Sequence, residues 1–298
     1  MARIDETRPE GPETPKGGAR LPLRARWRRV SMGLTTLAGR PRGFFSPYRY
    51  AADVEAPEGY PELEAIIGAA WDEIESVLGV IGEEAATLAA FRGPAPRPRW
   101  DQSWFPRLDG AAAYVIAAGS GAGRVVEVGS GHSTRFLAQA LEDAGQGGRI
   151  TCIDPAPRAT LHGLEVDWRR EVLASRHLPL FDALEPGDIA FFDSSHLLWP
   201  GTDVDMILNR ILPRLAPGVL VHLHDIFLPD PYPADWAWRG YTEQLGLAGW
   251  LAGGAYRPIW ASHYALTRMG AAEAPGIAEL PLPDGARESS LWLVRAAQ

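Results

Sequence analysis

A three-layer, doubly wound α/β domain is predicted by three features of this 298-residue sequence. Short β-rich apolar runs alternate with helical stretches through the second half, the pattern of parallel strands joined by crossover helices. Several of those runs end in an acidic residue or a histidine, at the carboxyl ends where ligands lie in open parallel sheets. One of them, Arg124-Val125-Val126, passes through Glu127 into a glycine-bracketed turn, Gly129-Ser130-Gly131, and on into a helix. Strand, tight turn and helix start bring backbone N–H groups and a helix N-terminus up to a ligand.

Composition narrows the class. A hydrophobic fraction of 46% supplies a sizeable core, and the length suits one large α/β domain with additions, or two domains. The formal net charge of -8 argues against a nucleic-acid partner, which wants a basic surface. That charge is uneven: Arg20, Arg24, Arg26, Arg28, Arg29, Arg40, Arg42 and Arg49 crowd the first fifty residues. The single cysteine, Cys152, excludes an internal disulfide and fits a reducing cytoplasm. Lying in the apolar run ITCID, it reads as a buried structural thiol. No run reaches the apolar length of a membrane span. VSMGLTTLAG, behind a polar start, is too short and too far in for a signal peptide.

In chain order, residues 1–18 read as a disordered tail. Residues 19–100 read as a basic arm followed by a helical extension, and 101–298 as the main domain. Over 19–50 the aromatics Trp27, Phe44, Phe45, Tyr48 and Tyr50 are interspersed with arginine and show no sustained helical period. The segment is expected to wrap over the domain with its aromatics buried, although membrane or RNA contact is the alternative such a composition raises. From Pro61 to Phe91 apolar residues recur at helical steps, with Gly79 and Gly82 expected to divide two helices. A Pro-rich connector over 91–104 leads to a helix over 109–118.

After the glycine turn, Phe136, Leu137 and Leu141 fall on one helical stripe. GRITCIDP gives a strand ending in Asp154, placed to accept both hydroxyls of a ribose. Residues 164–177 carry a mixed signal. Ile189–Phe192 is a buried strand ending at Asp193, a helix spans roughly 203–215, and VLVHLH is a strand ending in His224-Asp225. IFLPDPYP is a loop, 236–253 is roughly helical, and AYRPIWASH and ESSLWLVRAA are the last two strands, the final one closing the sheet. No repeat at solenoid period is present.

Two details bear on the ligand. Thr134 stands where a dinucleotide motif carries its third glycine. Glu127 would repel a pyrophosphate but suits an ammonium, which points to S-adenosylmethionine, a cation without phosphate. Asp193 with Asp225 could hold Mg²⁺ through oxygen ligands. Without metal, His196 or His224 could act as general base, because an imidazole titrates near neutrality. His222 is expected on the opposite face from His224, as a packed or surface histidine.

VVEVGSGHSTRFLAQAL, ITCIDP, DIAFFDSSH and VHLHDIFLPDPYP, in this order, resemble the class I S-adenosylmethionine-dependent methyltransferases. They are most similar to the bacterial group called methyltransferase family 24. GFFSPYRYA, DQSWFPRLDG and YTEQ share the likeness, which covers roughly residues 43–265. It implies a Rossmann-like, seven-stranded, mostly parallel sheet with the last strand antiparallel. It also implies cofactor contacts from Glu127, Gly129, Ser130, Gly131 and Asp154, with Asp193 near the methionine end; Ser133 and Thr134, at the helix start, are further cofactor-binding candidates. Metal-dependent relatives place an Asp-Asn pair where this sequence has Asp225-Ile226, so the asparagine ligand is missing.

The activity this implies is methyl transfer to a small-molecule or sugar hydroxyl. The competing readings are an NAD-linked oxidoreductase and a nucleoside-binding scaffold without chemistry. A homo-oligomer could form through the aromatics of 44–50 and 236–241.

Overall fold

The computed structural model describes residues 23–40, 42–44, 48–55, 57–145 and 147–297. The expected tail over 1–18, and Phe45, lie outside the described residues. The chain forms two compact units, Met1–Ala56 with Tyr232–Gly240, and Pro57–Pro231 with Tyr241–Gln298. The helices that follow Pro61 therefore belong with the sheet and not with the basic arm.

The smaller unit carries helix α1 (Leu23–Leu37). Its sequence, rich in Leu and Arg, has good helix formers at most positions and no proline. This corrects the expectation of an aperiodic, buried wrap. Leu23, Trp27, Val30, Leu34 and Leu37 recur at alternating four- and three-residue steps, and all five are exposed, as are Phe44, Tyr48 and Tyr50. A second short helical turn, Ala234–Arg239, sets the Arg239 guanidinium 3.9 Å over the Trp236 ring.

The larger unit opens with three helices, α2 (Pro61–Gly68), α3 (Trp71–Glu83) and α4 (Ala85–Ala89). The breaks fall at 69–70 and at Glu84, not at the glycines. Gly82 stays helical, and the chain near Pro275 packs within 3.5 Å of where its Cβ would be. A helix interior tolerates glycine when close packing uses the missing side chain. Helix α5 (Arg107–Ser120) is almost wholly buried through Ala117, and α6 (His132–Asp143) buries Phe136, Leu137 and Leu141 as its stripe predicts.

The seven strands are β1 (Arg124–Val128), β2 (Arg149–Ile153), β3 (Val166–Arg169), β4 (Ile189–Phe192), β5 (Leu220–Leu223), β6 (Tyr256–Ala261) and β7 (Leu291–Arg295). They order as β3-β2-β1-β4-β5-β7-β6. β1 through β5 pair in parallel, while β7 runs antiparallel to both β5 and β6. The final strand is thus inserted inside the sheet instead of closing it, which explains why LWLVR is buried along most of its length. Strands flanked on both faces by helices read as continuous apolar runs, as Ile189–Phe192 does. The ambiguous 164–177 stretch resolves into edge strand β3 and a short turn, Ser175–His177.

The short helix α7 (Leu178–Asp182) precedes β4. After it, 203–214 is helical as expected, but only α8 (Asp203–Met206) is α-helical. The segment widens to a π-turn at Ile207–Ile211 and tightens at Leu212–Arg214. Helices α9 (Glu243–Ala252) and α10 (Ser262–Arg268) flank β6.

Candidate active site

Three neighbouring strands, β2, β1 and β4, carry carboxylates at their ends: Asp154 just past β2, Glu127 one residue before the end of β1, and Asp193 just past β4. The turn between β1 and α6 is pressed against the end of β4. Gly129 has φ +80°, and a Cβ there would lie 1.7 Å from the Asp193 carbonyl oxygen. No side chain fits, so the glycine is required by both backbone conformation and space. The Asp193 N–H donates to the Val128 carbonyl at 2.9 Å, which fixes the two strand ends together.

Asp154 accepts the Ser130 N–H and the Ala156 N–H, each at 2.7 Å. Each oxygen keeps a second acceptor site, so the carboxylate both shapes the turn and retains capacity for a diol. Glu127 sits deeper than a direct ammonium partner would. It is fully buried, and Ser133 and Thr134 each donate a hydroxyl to it at 2.6 Å. Burial pushes its pKa up to about 7 against the opposing pull of those hydroxyls and of Cys152. The Cys152 thiol is buried and raised in turn by burial and by Glu127, the behaviour of a structural thiol.

Thr134, in the third-glycine position, also accepts the Gly131 N–H at 2.9 Å and so caps α6. That arrangement replaces the glycine-mediated close packing of a dinucleotide fingerprint. Nothing in the site favours the NAD reading.

Beyond Asp193 lies a network of imidazoles and carboxylates. His196 Nε2 is 3.3 Å from Asp193 Oδ1 and 3.5 Å from Asp225 Oδ2, while its Nδ1 meets Glu243 Oε2 at 2.9 Å. His224 Nε2 meets Asp109 Oδ2 at 3.2 Å, and its Nδ1 lies 3.5 Å from Asp193 and 3.6 Å from Asp225. His196 and Asp225 both hold positive φ, 58° and 55°. Left-handed backbone at non-glycine residues costs free energy and gathers at functional sites. Asp193 is the least buried member, its side chain 30% exposed against 4–11% for His196, His224 and Asp225.

The titrations are coupled. Burial drives both histidines down, but Asp193 and Glu243 around His196, and Asp193, Asp225 and Asp109 around His224, reverse this and hold both well above the ordinary value. Burial raises Asp193, yet His224 and His196 outweigh it and leave its carboxyl well below the usual range. Linkage then fixes the pH window. Stabilisation from the raised histidines is complete below the unfolded value of about 6.5 and is lost as pH climbs through the folded values. Stabilisation from Asp193 is present above about 3.9 and lost as pH falls further. Thermal midpoints measured between pH 6 and 10 should therefore decline on the alkaline side, and the decline should be shallower in His224→Asn.

The expected Mg²⁺ pair is corrected by this geometry. Asp193 and Asp225 do converge, but His196 and His224 stand between them as the counter-charge a cation would supply. Among the described residues no group of three or more His, Cys, Asp or Glu could hold a metal. His222 is also corrected. Residues two apart on a strand share a face, and its ring lies 6.0 Å from that of His224, stacked on Phe191 at 3.7 Å with Nε2 on Ser290. Burial holds it well below the ordinary value, so it is a neutral core group.

Two members were missed from sequence. Asp109 is completely buried in α5 and accepts the Ser289 and Ser290 N–H groups at 3.0 and 2.9 Å. Its signals were a lone acid in the apolar run LDGAAAYVIAA and its place in the DQSWFPRLDG segment. Glu243 lies in YTEQ, where its neighbour Gln244 accepts the Phe227 N–H at 2.9 Å and so ties α9 to the loop after β5. That loop is pinned again by Asp230, which takes two guanidinium bonds from Arg268 at 2.7 and 2.8 Å.

The site suits a cation carrying ribose and no phosphate. Carboxylates lie at the ends of three adjacent strands, the backbone of Asp193 and Ser194 closes against the Gly129 turn, and the Ser194 hydroxyl is buried without a partner.

Residues 126–226 match the model of a methyltransferase domain family. No protein of curated function matches the chain. An O-methyltransferase from Bacillus cereus in complex with SAH is similar in structure at 16% identity, over 83% of this chain and 96% of that one, with a TM-score of 0.39. The SAH-bound Podospora anserina methyltransferase PaMTH1 is similar at 14% identity, over 86% and 100%, with a TM-score of 0.37. A putative methyltransferase from Thermobifida fusca YX is similar at 13% identity, over 78% and 88%, with a TM-score of 0.40. The matched domain runs from β1, through the glycine turn and Asp154, to Ile226 just beyond β5. The segment that carries the glycine turn and the strand-end carboxylates Glu127, Asp154 and Asp193 is thus the segment similar to a methyltransferase domain.

Proposed function

We propose that the protein methylates a hydroxyl of a small molecule or sugar, in the cytoplasm, with His196 as the base. The observation that carries this reading is the line from half-buried Asp193 to buried His196 and Glu243 at the end of β4, beside the Gly129 turn. When bound, S-adenosylmethionine supplies a methyl group already activated by its sulfonium, so the chain has only to align an acceptor and take its proton. Glu127, through the hydroxyls of Ser133 and Thr134, shapes the cofactor site together with Gly129, Ser130, Gly131, Asp154 and Asp193. Asp193, the most accessible of the cluster, accepts the acceptor O–H. Its depressed pKa keeps it from retaining the proton, which passes to His196 Nε2. Glu243 fixes the other ring nitrogen.

Isothermal titration with S-adenosylmethionine and its demethylated product tests the cofactor half. Micromolar binding to both is expected, and no binding to either would remove the proposal. Asp154→Ala should weaken binding by a few kcal/mol at most, because the lost hydrogen bonds go to a neutral diol. An unchanged affinity would show that Asp154 does not hold the ribose.

A further inference from the structure

We propose that α1 is an interfacial helix that seats the protein on an anionic lipid bilayer. The five apolar side chains of its stripe, Leu23, Trp27, Val30, Leu34 and Leu37, are 52–83% exposed. At 100° per residue they occupy one arc less than a quarter of the circumference wide. Arg24 and Arg26 flank that arc on either side, and Arg28 and Arg29 lie on the back. A narrow apolar arc centred on Trp and Leu, with arginine around it and low overall hydrophobicity, is how helices lie in a headgroup layer. At 1.5 Å per residue the 15-residue helix is about 22 Å long. No helix among the described residues is long and apolar enough to cross a membrane, so this one would lie in the plane.

Charge chooses the occupant. Between Glu13 and Asp53 the sequence holds nine Lys and Arg and no acid, in a chain whose formal net charge is -8. That concentration is complementary to an anionic surface. A second copy of α1 is a poor match, because pairing through the stripe would bring Arg24 and Arg26 against their equivalents. The stripe also spans only two heptads, short of the three or four that sustain a coiled coil. Nucleic acid would use the arginines but leave the leucines without a role. Downstream, exposed Phe44, Tyr48 and Tyr50 stand among Arg42 and Arg49, the kind of aromatic and basic pairing found at headgroup depth. The inference is independent of the chemistry proposed for the strand ends.

The test is co-sedimentation of the full-length protein with vesicles of 30% phosphatidylglycerol in phosphatidylcholine, and with phosphatidylcholine alone. Binding is expected to the first only, and to weaken as salt rises. Replacing Arg24, Arg26, Arg28 and Arg29 together by Gln should reduce partitioning about a hundredfold or more, since each basic residue near such a surface contributes roughly fivefold. W27S/L34S should reduce it at least about tenfold. Both variants should keep the wild-type thermal midpoint, because these side chains are exposed. The proposal is overturned by failure to bind anionic vesicles, or by equal binding to both compositions. Binding insensitive to W27S/L34S, matched by arginine-dependent binding of a single-stranded oligonucleotide, would assign the arm to nucleic acid instead. A wild-type dimer that W27S/L34S makes monomeric, without vesicle binding, would assign the stripe to a second copy.

Discussion

Replacing His196 by alanine should lower kcat by about 10²–10⁴-fold, the usual contribution of a positioned general base. Affinity for S-adenosylmethionine should survive, because the turn at Gly129 and the Asp154 carboxylate are built by other residues. The substitution also removes the imidazole that faces Asp193, Asp225 and Glu243, and breaking a buried pair costs about 3–5 kcal/mol. Thermal midpoint must be read beside rate for that reason, and His196→Asn, which keeps a polar side chain in place, should recover stability more than rate. The pH profile separates a base from a strut. Its neighbours hold His196 well above its ordinary value, so the base form grows as pH rises and kcat/KM should climb with pH. Glu243→Gln removes one of the influences that raise His196, so the climb should begin at lower pH. A flat profile in the wild type, or one that Glu243→Gln leaves in place, would remove His196 from the chemistry.

The part of this network that could be read in advance was the part that local sequence determines. A β-branched run, a glycine turn and an apolar stripe fix β1, the turn and α6 through short-range geometry alone. Glu127, Asp154, Asp193 and the His224-Asp225 pair announce themselves because each sits where a strand must end. Glu243 and Asp109 do not, since their roles arise from tertiary contacts across 47 and 115 residues of chain. The same limit explains the metal expectation. Two carboxylates at neighbouring strand ends look like a cation site until the structure shows which imidazoles lie between them. Strand order is equally non-local: nothing in LWLVR says that it enters between β5 and β6. The misreading of α1 has another cause. Arginines interrupt its stripe at 24, 26, 28 and 29, so the 4-3-4-3 spacing of Leu23 to Leu37 is hidden unless the register is counted.

Gly129→Ala should be the most damaging single methyl group in the domain. The left-handed φ of +80° alone costs an alanine about 1–2 kcal/mol. The larger effect is steric, because the new Cβ would sit 1.7 Å from the carbonyl oxygen of Asp193 and 2.6 Å from its carbonyl carbon. Both are backbone atoms, so no side-chain rotation relieves the clash and the ends of β1 and β4 must part. Parting them breaks the Asp193 N–H bond to Val128 and shifts Asp193 away from His196. Destabilisation above about 3 kcal/mol is expected, at the upper end for a point substitution, together with loss of cofactor binding. Gly119→Ala is the control. That glycine lies exposed in α5 with nothing within 4 Å of a Cβ, and alanine there should be neutral or stabilise by up to about 1 kcal/mol. Urea midpoints and calorimetric titration of the two variants make the comparison. If Gly129→Ala kept wild-type stability and affinity, the close approach of the turn to β4 could not be what positions Asp193, and the base network would need another anchor.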